Sequence, residues 1–218
     1  MDTINEPAWK AARRRSIIDT GFKMFSERGI DLVSIDEIAK ACGMTRVTIY
    51  RYFPSKLDLV IEIGSVMWRE YYSKMSEKYP SGITDALSAR EHFELFLDCF
   101  IDLYREKRAL LRFNQYFNLY IGSMHATGDQ LRPYTAAIFI IKRSFLKLYR
   151  KAQRDGTLRT DISEERMFSA LLHIMLAAVT RYAAGLVYVP DSGAEPVEEL
   201  IMLKEMLINK FAVQSEVL

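Results

Sequence analysis

A chain of 218 residues, half of them hydrophobic, carries enough apolar material for a buried core and is excluded from the disordered class. Its 10 Gly and 6 Pro are too few for many short strands and favour long helices. The net charge of +2 identifies no partner by itself, but residues 1–56 hold 10 Lys/Arg against 7 Asp/Glu, whereas residues 57–218 hold 20 against 21. The basic excess therefore sits at the front, where Arg13-Arg14-Arg15 reads either as a solvated face or as a run suited to phosphate.

Ile17, Ile18, Phe22 and Phe25 recur at helical spacing, with Ala12 and Gly21 on the same side, and predict a first helix over 8–28. Gly29 supplies a left-handed stop. Ser34-Ile35-Asp36-Glu37 is a capping box, in which hydroxyl and carboxylate each satisfy an orphan backbone N–H. It opens a short helix over 35–41. Gly43 provides the tight turn, Thr45 caps a second short helix over 46–52, and Pro54 ends it. Ser55-Lys56-Leu57-Asp58 is a further cap, starting a long helix to about Lys78. After a loop at 79–82, helices are expected at 88–105, 107–123, 130–155, 164–188 and 196–213. The breaks between them fall at Gly128-Asp129, Asp155-Gly156-Thr157 and the 190–196 loop.

Two short capped helices joined by a glycine turn make a helix-turn-helix. The segment from Ser34 to Lys56 closely resembles the signature of the TetR family of transcriptional regulators: a capped I-A helix, a glycine turn, Thr48-Ile49-Tyr50, Tyr52-Phe53 and Ser55-Lys56. Phe22, Phe25 and Gly29 stand where that family has its helix-one core and turn, so the resemblance covers about residues 10–60. It implies an all-α chain with a DNA-binding domain at 1–56, followed by a helical ligand-binding and dimerisation domain at 57–218.

A helix as short as 46–52 fits the major groove with its N-terminal side chains at base edges. Thr45, Arg46, Thr48 and Arg51 belong to its exposed face, and Arg46 is the candidate for bidentate guanine reading. Val47 and Ile49 pack back or meet a thymine methyl. The resemblance puts Tyr50 and Lys56 on phosphates, with Ser34 and Thr48 near the backbone. Tyr50 and Tyr52 read equally well as core aromatics, and Phe53 as core.

The resemblance also implies a homodimer built from the last two helices. Their apolar faces offer Leu172, Met175, Leu176 and Val179, then Leu200, Leu203, Leu207 and Phe211; the alternative is that both faces complete the core of a single chain. An effector pocket is implied among the middle helices. Phe96, Phe100, Tyr104, Phe113, Tyr116, Phe117, Tyr120 and Phe139 are candidates, with Arg143 and His173 as polar anchors. His92, Arg112, Asn114, Gln115 and His125 are further polar groups within reach. Aromatic stripes at helical spacing are more often core than ligand box, and these residues carry that reading too.

The expected partners are double-stranded DNA, a small hydrophobic effector and a second copy. No cofactor or metal is implied. Cys42 and Cys99 match no metal or disulfide spacing and read as reduced thiols of a cytoplasmic protein. The apolar stretch 170–189 contains His173 and Arg181 and falls short of a membrane span. No nucleophile motif, phosphate loop or paired-carboxylate site speaks for an enzyme. The alternatives are a protein-interaction module with a structural helix-turn-helix, and a regulator that activates or needs a corepressor.

Overall fold

The computed structural model describes residues 7–186 and 195–213. In chain order the helices are α1 (Ala8–Arg28), α2 (Ile35–Ala41), α3 (Arg46–Tyr52), α4 (Lys56–Lys78), α5 (Ser81–Ala86), α6 (Ala89–Glu106), α7 (Arg108–Ser123) and α8 (Gly128–Asp155). They are followed by α9 (Glu164–Leu171), a π-helical turn (Leu172–Leu176), α10 (Ala177–Ala183) and α11 (Pro196–Phe211). Extended pairing among the described residues is confined to one bridge between Leu158 and Ala212. The expected all-α class holds.

Local chemistry explains most helix ends. Gly29 takes φ +90 and returns its N–H to the Phe25 carbonyl at the end of α1, and Gly43 takes φ +64 between α2 and α3. Both values lie in the region that a side chain disfavours. Ser34 and Glu37 form the complete capping box of α2, and the Thr45 hydroxyl accepts from the Thr48 N–H at the start of α3. Several boundaries differ from expectation: α11 ends at Phe211 rather than 213, and three others have a clear physical reason. The break at Gly128-Asp129 lies inside the first turn of α8, because Thr127 and Gln130 exchange capping bonds one residue earlier. The helix expected to 188 ends at Ala183 with Ala184 as its C-cap, and Gly185 then takes φ +74; residues 187 and 188 lie outside the described part. The 79–82 loop gives way to α5, which has no buried residue and hence no periodicity to read. Its end is set from afar: the Lys151 ammonium donates to the carbonyls of Thr84, Asp85 and Leu87.

The α2 cap yields a pH prediction. The Glu37 carboxyl is held at about 2, below its ordinary 4.5, first by the Ser34 backbone N–H and then by Arg28. A depressed carboxylate stabilises the fold above its ordinary pKa and loses that contribution as pH falls through the folded value. The gap in thermal midpoint between the native chain and Glu37→Gln is expected in full at neutral pH and at less than half by about pH 3. An unchanged gap would mean that the charge contributes nothing to the cap.

The chain divides into two compact units. The first comprises the chain up to Trp68 together with Arg112–Ala137; the second comprises Arg69–Leu111 and Ile138 onward. This division falls within α4, α7 and α8 rather than at residue 56. The reason is the core of the first unit: Ile17, Phe25, Ile38, Ile49, Phe53 and Ile63 share one buried cluster with Phe113, Phe117 and Tyr120 of α7. The second unit buries aromatic and aliphatic side chains of α6, α8, α9, α10 and α11. Phe96 meets Phe145 at 5.5 Å and Phe93 meets Phe211 at 6.0 Å, both tilted or edge-on as aromatic quadrupoles prefer.

Candidate nucleic-acid interface

Packing sorts the side chains of α3 by period. Ile49 is fully buried and Phe53, its C-cap residue, is nearly so, and together they seat the helix on the core of the first unit. Thr45, Arg46, Val47 and Arg51 are exposed, so Val47 joins the outward face while Ile49 does not. Tyr50 and Tyr52 are half-buried and packed against the same core. The Thr45 and Thr48 hydroxyls lie 2.9 Å apart at the N-terminus of the helix.

Arg46 is exposed but organised. Its Nη1 donates to Asp36 Oδ2 of α2 at 2.9 Å, its Nη2 reaches the Tyr50 hydroxyl at 3.5 Å, and its guanidinium carbon lies 5.5 Å from the Tyr50 ring centre. Asp36 is the residue that sequence reasoning passed over. An acid in the first turn is accounted for by the helix dipole, and nothing local ties it to a residue ten positions on.

The remaining expected contacts are placed differently. The Ser34 hydroxyl and N–H are both engaged with Glu37, so its first role is the cap. Lys56 opens α4 but turns its ammonium onto the Ile30 carbonyl at 2.6 Å, between the rings of Phe25 and Tyr120. Burial lowers its pKa. An ammonium has three donors, so a phosphate can share it without breaking that bond. In the arginine run, Arg14 lies over the Phe53 ring and pairs with Glu62 at 3.1 Å, Arg13 lies over Trp9, and Arg15 pairs with Asp19 at 2.9 Å.

The ten effector candidates do not form one group. Phe113, Tyr116, Phe117 and Tyr120 pack in the first unit beneath the helix-turn-helix. Phe96, Phe100 and Tyr104 are buried in the second, whereas Phe139, Arg143 and His173 are exposed. Among the other polar groups, His92 is buried and its pKa is lowered by desolvation, and Asn114 accepts from the Tyr134 hydroxyl at 3.0 Å. Arg112 donates to the Ser26 carbonyl at 3.2 Å, Gln115 is half-buried, and His125 is exposed with φ 49.

The dimer candidates divide by exposure. Met175, Val179, Leu200, Leu207 and Phe211 are buried within the single chain, and Leu172, Leu176 and Leu203 are half-buried. The outward apolar side chains on these elements are instead Ile174, Ile201, Met202 and Met206. A 3.6-residue period shows that a helix has an apolar face but not which of two faces the chain itself covers. Cys42 and Cys99 are free and half-buried, and burial pushes the Cys99 thiol up to about 12. No helix among the described residues is long and apolar enough to cross a membrane, and no group of His, Cys, Asp or Glu there is arranged to hold a metal.

Fold and site together define a helix-turn-helix protein with an appended helical domain. Residues 17–63 match the model of the bacterial regulatory proteins of the tetR family, so the domain carrying α2 and α3 is that of TetR-family transcriptional regulators. Among relatives, the HTH-type transcriptional repressor KstR2 of Rhodococcus jostii is 22% identical over 191 residues, 83% of this chain and 85% of its own. The HTH-type transcriptional regulator AcrR of Shigella flexneri is 46% identical over 50 residues, so the chain spans under a quarter (23%) of that relative's length. A crystal structure from Saccharomonospora viridis, in complex with choline, superposes with a TM-score of 0.71 at 19% identity, covering 94% of this chain and 100% of that one. At that identity it speaks for the fold alone.

Proposed function

We propose that this chain is a homodimeric, sequence-specific DNA-binding repressor released from a palindromic operator by a small hydrophobic effector. The observation that carries the reading is the division of α3: Ile49 and Phe53 anchor the helix, while Thr45, Arg46, Val47 and Arg51 stand outward on one short exposed element. Arginine pairs bidentately with guanine and a valine methyl suits thymine, whereas a purely structural helix gains nothing from presenting them. Thr48, Tyr50, Lys56 and Ser34 serve the phosphates, the last only as far as its cap allows.

A pair of reading heads requires a second copy. Ile174, Ile201, Met202 and Met206, with the half-buried Leu172, Leu176 and Leu203, form the apolar surface offered for it. For the effector, Phe96, Phe100 and Tyr104 of the second unit are the aromatic groups best suited to an apolar ligand. Such a ligand shifts DNA binding only by its differential affinity for two states of the dimer, and α4 is the helix that carries the shift toward α3.

Selection of random duplexes on the purified chain tests the reading. The expected result is an enriched palindrome with half-site centres about 34–36 Å apart, the spacing of one helical turn. Apolar aromatic compounds that raise the thermal midpoint are expected to release that duplex. No enrichment at moderate salt would remove the effector-released repressor and leave a corepressor-dependent regulator or a purely structural helix-turn-helix. Enrichment of an unpaired half-site would remove the dimer.

A further inference from the structure

Arg46 is held before any DNA arrives. One terminal nitrogen is engaged by Asp36 at 2.9 Å and the other faces the Tyr50 hydroxyl at 3.5 Å, with the Tyr50 ring beside the guanidinium. Asp36 comes from α2, so the pair crosses the helix-turn-helix and ties the first turn of one helix to the first residue of the other. Both side chains are more than half exposed, at 58% and 60%. An ion pair in that setting adds little stability and exchanges readily for a better partner. A carboxylate within reach of a reading arginine is otherwise a liability, since the duplex it approaches is a polyanion.

We propose that Asp36 is a specificity-determining residue: its carboxylate keeps Arg46 from phosphates and penalises every complex in which Arg46 finds no guanine. This deepens the DNA-binding reading above and rests on it. When a guanine presents O6 and N7, Arg46 gains two geometrically matched acceptors that offset the loss of its protein partner. At a wrong sequence the only exchange open to it is a phosphate, and Asp36 then stands unpaired beside the same backbone. The cost falls mainly on non-cognate complexes, which is discrimination by repulsion.

The test uses the full chain with two duplexes of equal length, the selected one and a scrambled one, titrated across salt. For Asp36→Asn, of the same shape without the charge, affinity for the scrambled duplex is expected to rise about fivefold. Its salt dependence should steepen by about one phosphate contact, near 0.9 in the log–log slope. Affinity for the selected duplex should change by less than about threefold, so that the specificity ratio falls. Asp36→Glu, which restores the charge, should restore the ratio. Both variants should keep the native thermal midpoint within a few degrees, because the position is exposed. A wild-type chain that discriminates, beside an Asp36→Asn chain with unchanged scrambled-duplex affinity and slope, overturns this proposal alone. A wild-type chain that prefers no duplex overturns the DNA-binding reading and this proposal with it.

Discussion

Phe117→Ala is expected to destabilise the chain by about 3–5 kcal/mol, measured by equilibrium urea unfolding. The ring is fully buried, 4.2 Å from that of Tyr134 and 5.9 Å from that of Phe113. Removing it empties a fully buried ring site, and neighbouring rings fixed on α7 and α8 collapse only partly into the gap. Against a typical total of about 5–15 kcal/mol, that loss is large. It also reaches function: Phe117 belongs to the cluster that holds Ile49 and Phe53, so the seat of α3 should loosen with it. Near the lowered transition, DNA affinity should fall together with the folded fraction. A loss below about 1 kcal/mol would show that α7 is not an integral part of this core. A chain ending at Lys56 would lack these rings altogether and leave the core of the helix-turn-helix open.

Arg46→Ala should cost about 1–3 kcal/mol in affinity for the selected duplex, roughly a fivefold to 150-fold weakening, with a relaxed preference at one position of each half-site. Affinity for scrambled DNA should change much less, because wild-type Arg46 is held by Asp36 rather than by phosphate. Titration of both duplexes at fixed salt, by fluorescence anisotropy, decides it. Equal losses on the two would mean that Arg46 touches backbone and not base. The substitution removes an exposed side chain and should leave the thermal midpoint nearly unmoved.

These two outcomes separate two kinds of information. Whatever depends on a few neighbouring residues was legible in the chain itself. The bounds of α1, α2, α3 and α4 follow from the Gly29 stop, the Ser34–Glu37 box, the Thr45 cap and Pro54, since each satisfies or removes backbone hydrogen bonds within one turn. The exposed face of α3 follows from its period once Ile49 is inside. Even the early start of α8 was present as Thr127-x-x-Gln130.

Tertiary structure decided which apolar faces meet. Phe113, Phe117 and Tyr120 read as core or as members of an effector stripe, and which core they complete, that beneath α3, depends on a separation of some sixty residues that no local period encodes. Met175, Val179, Leu200, Leu207 and Phe211 read as interface, yet the single chain covers them and turns Ile174, Ile201, Met202 and Met206 outward. Lys56, which the resemblance puts on a phosphate, also donates to a carbonyl, and Asp36, which no local pattern singled out, holds Arg46. Helical periodicity determines that a face will be buried, because apolar area must leave water. What buries it, and where a charged tip can then find a partner, depends on the packing of elements distant in sequence.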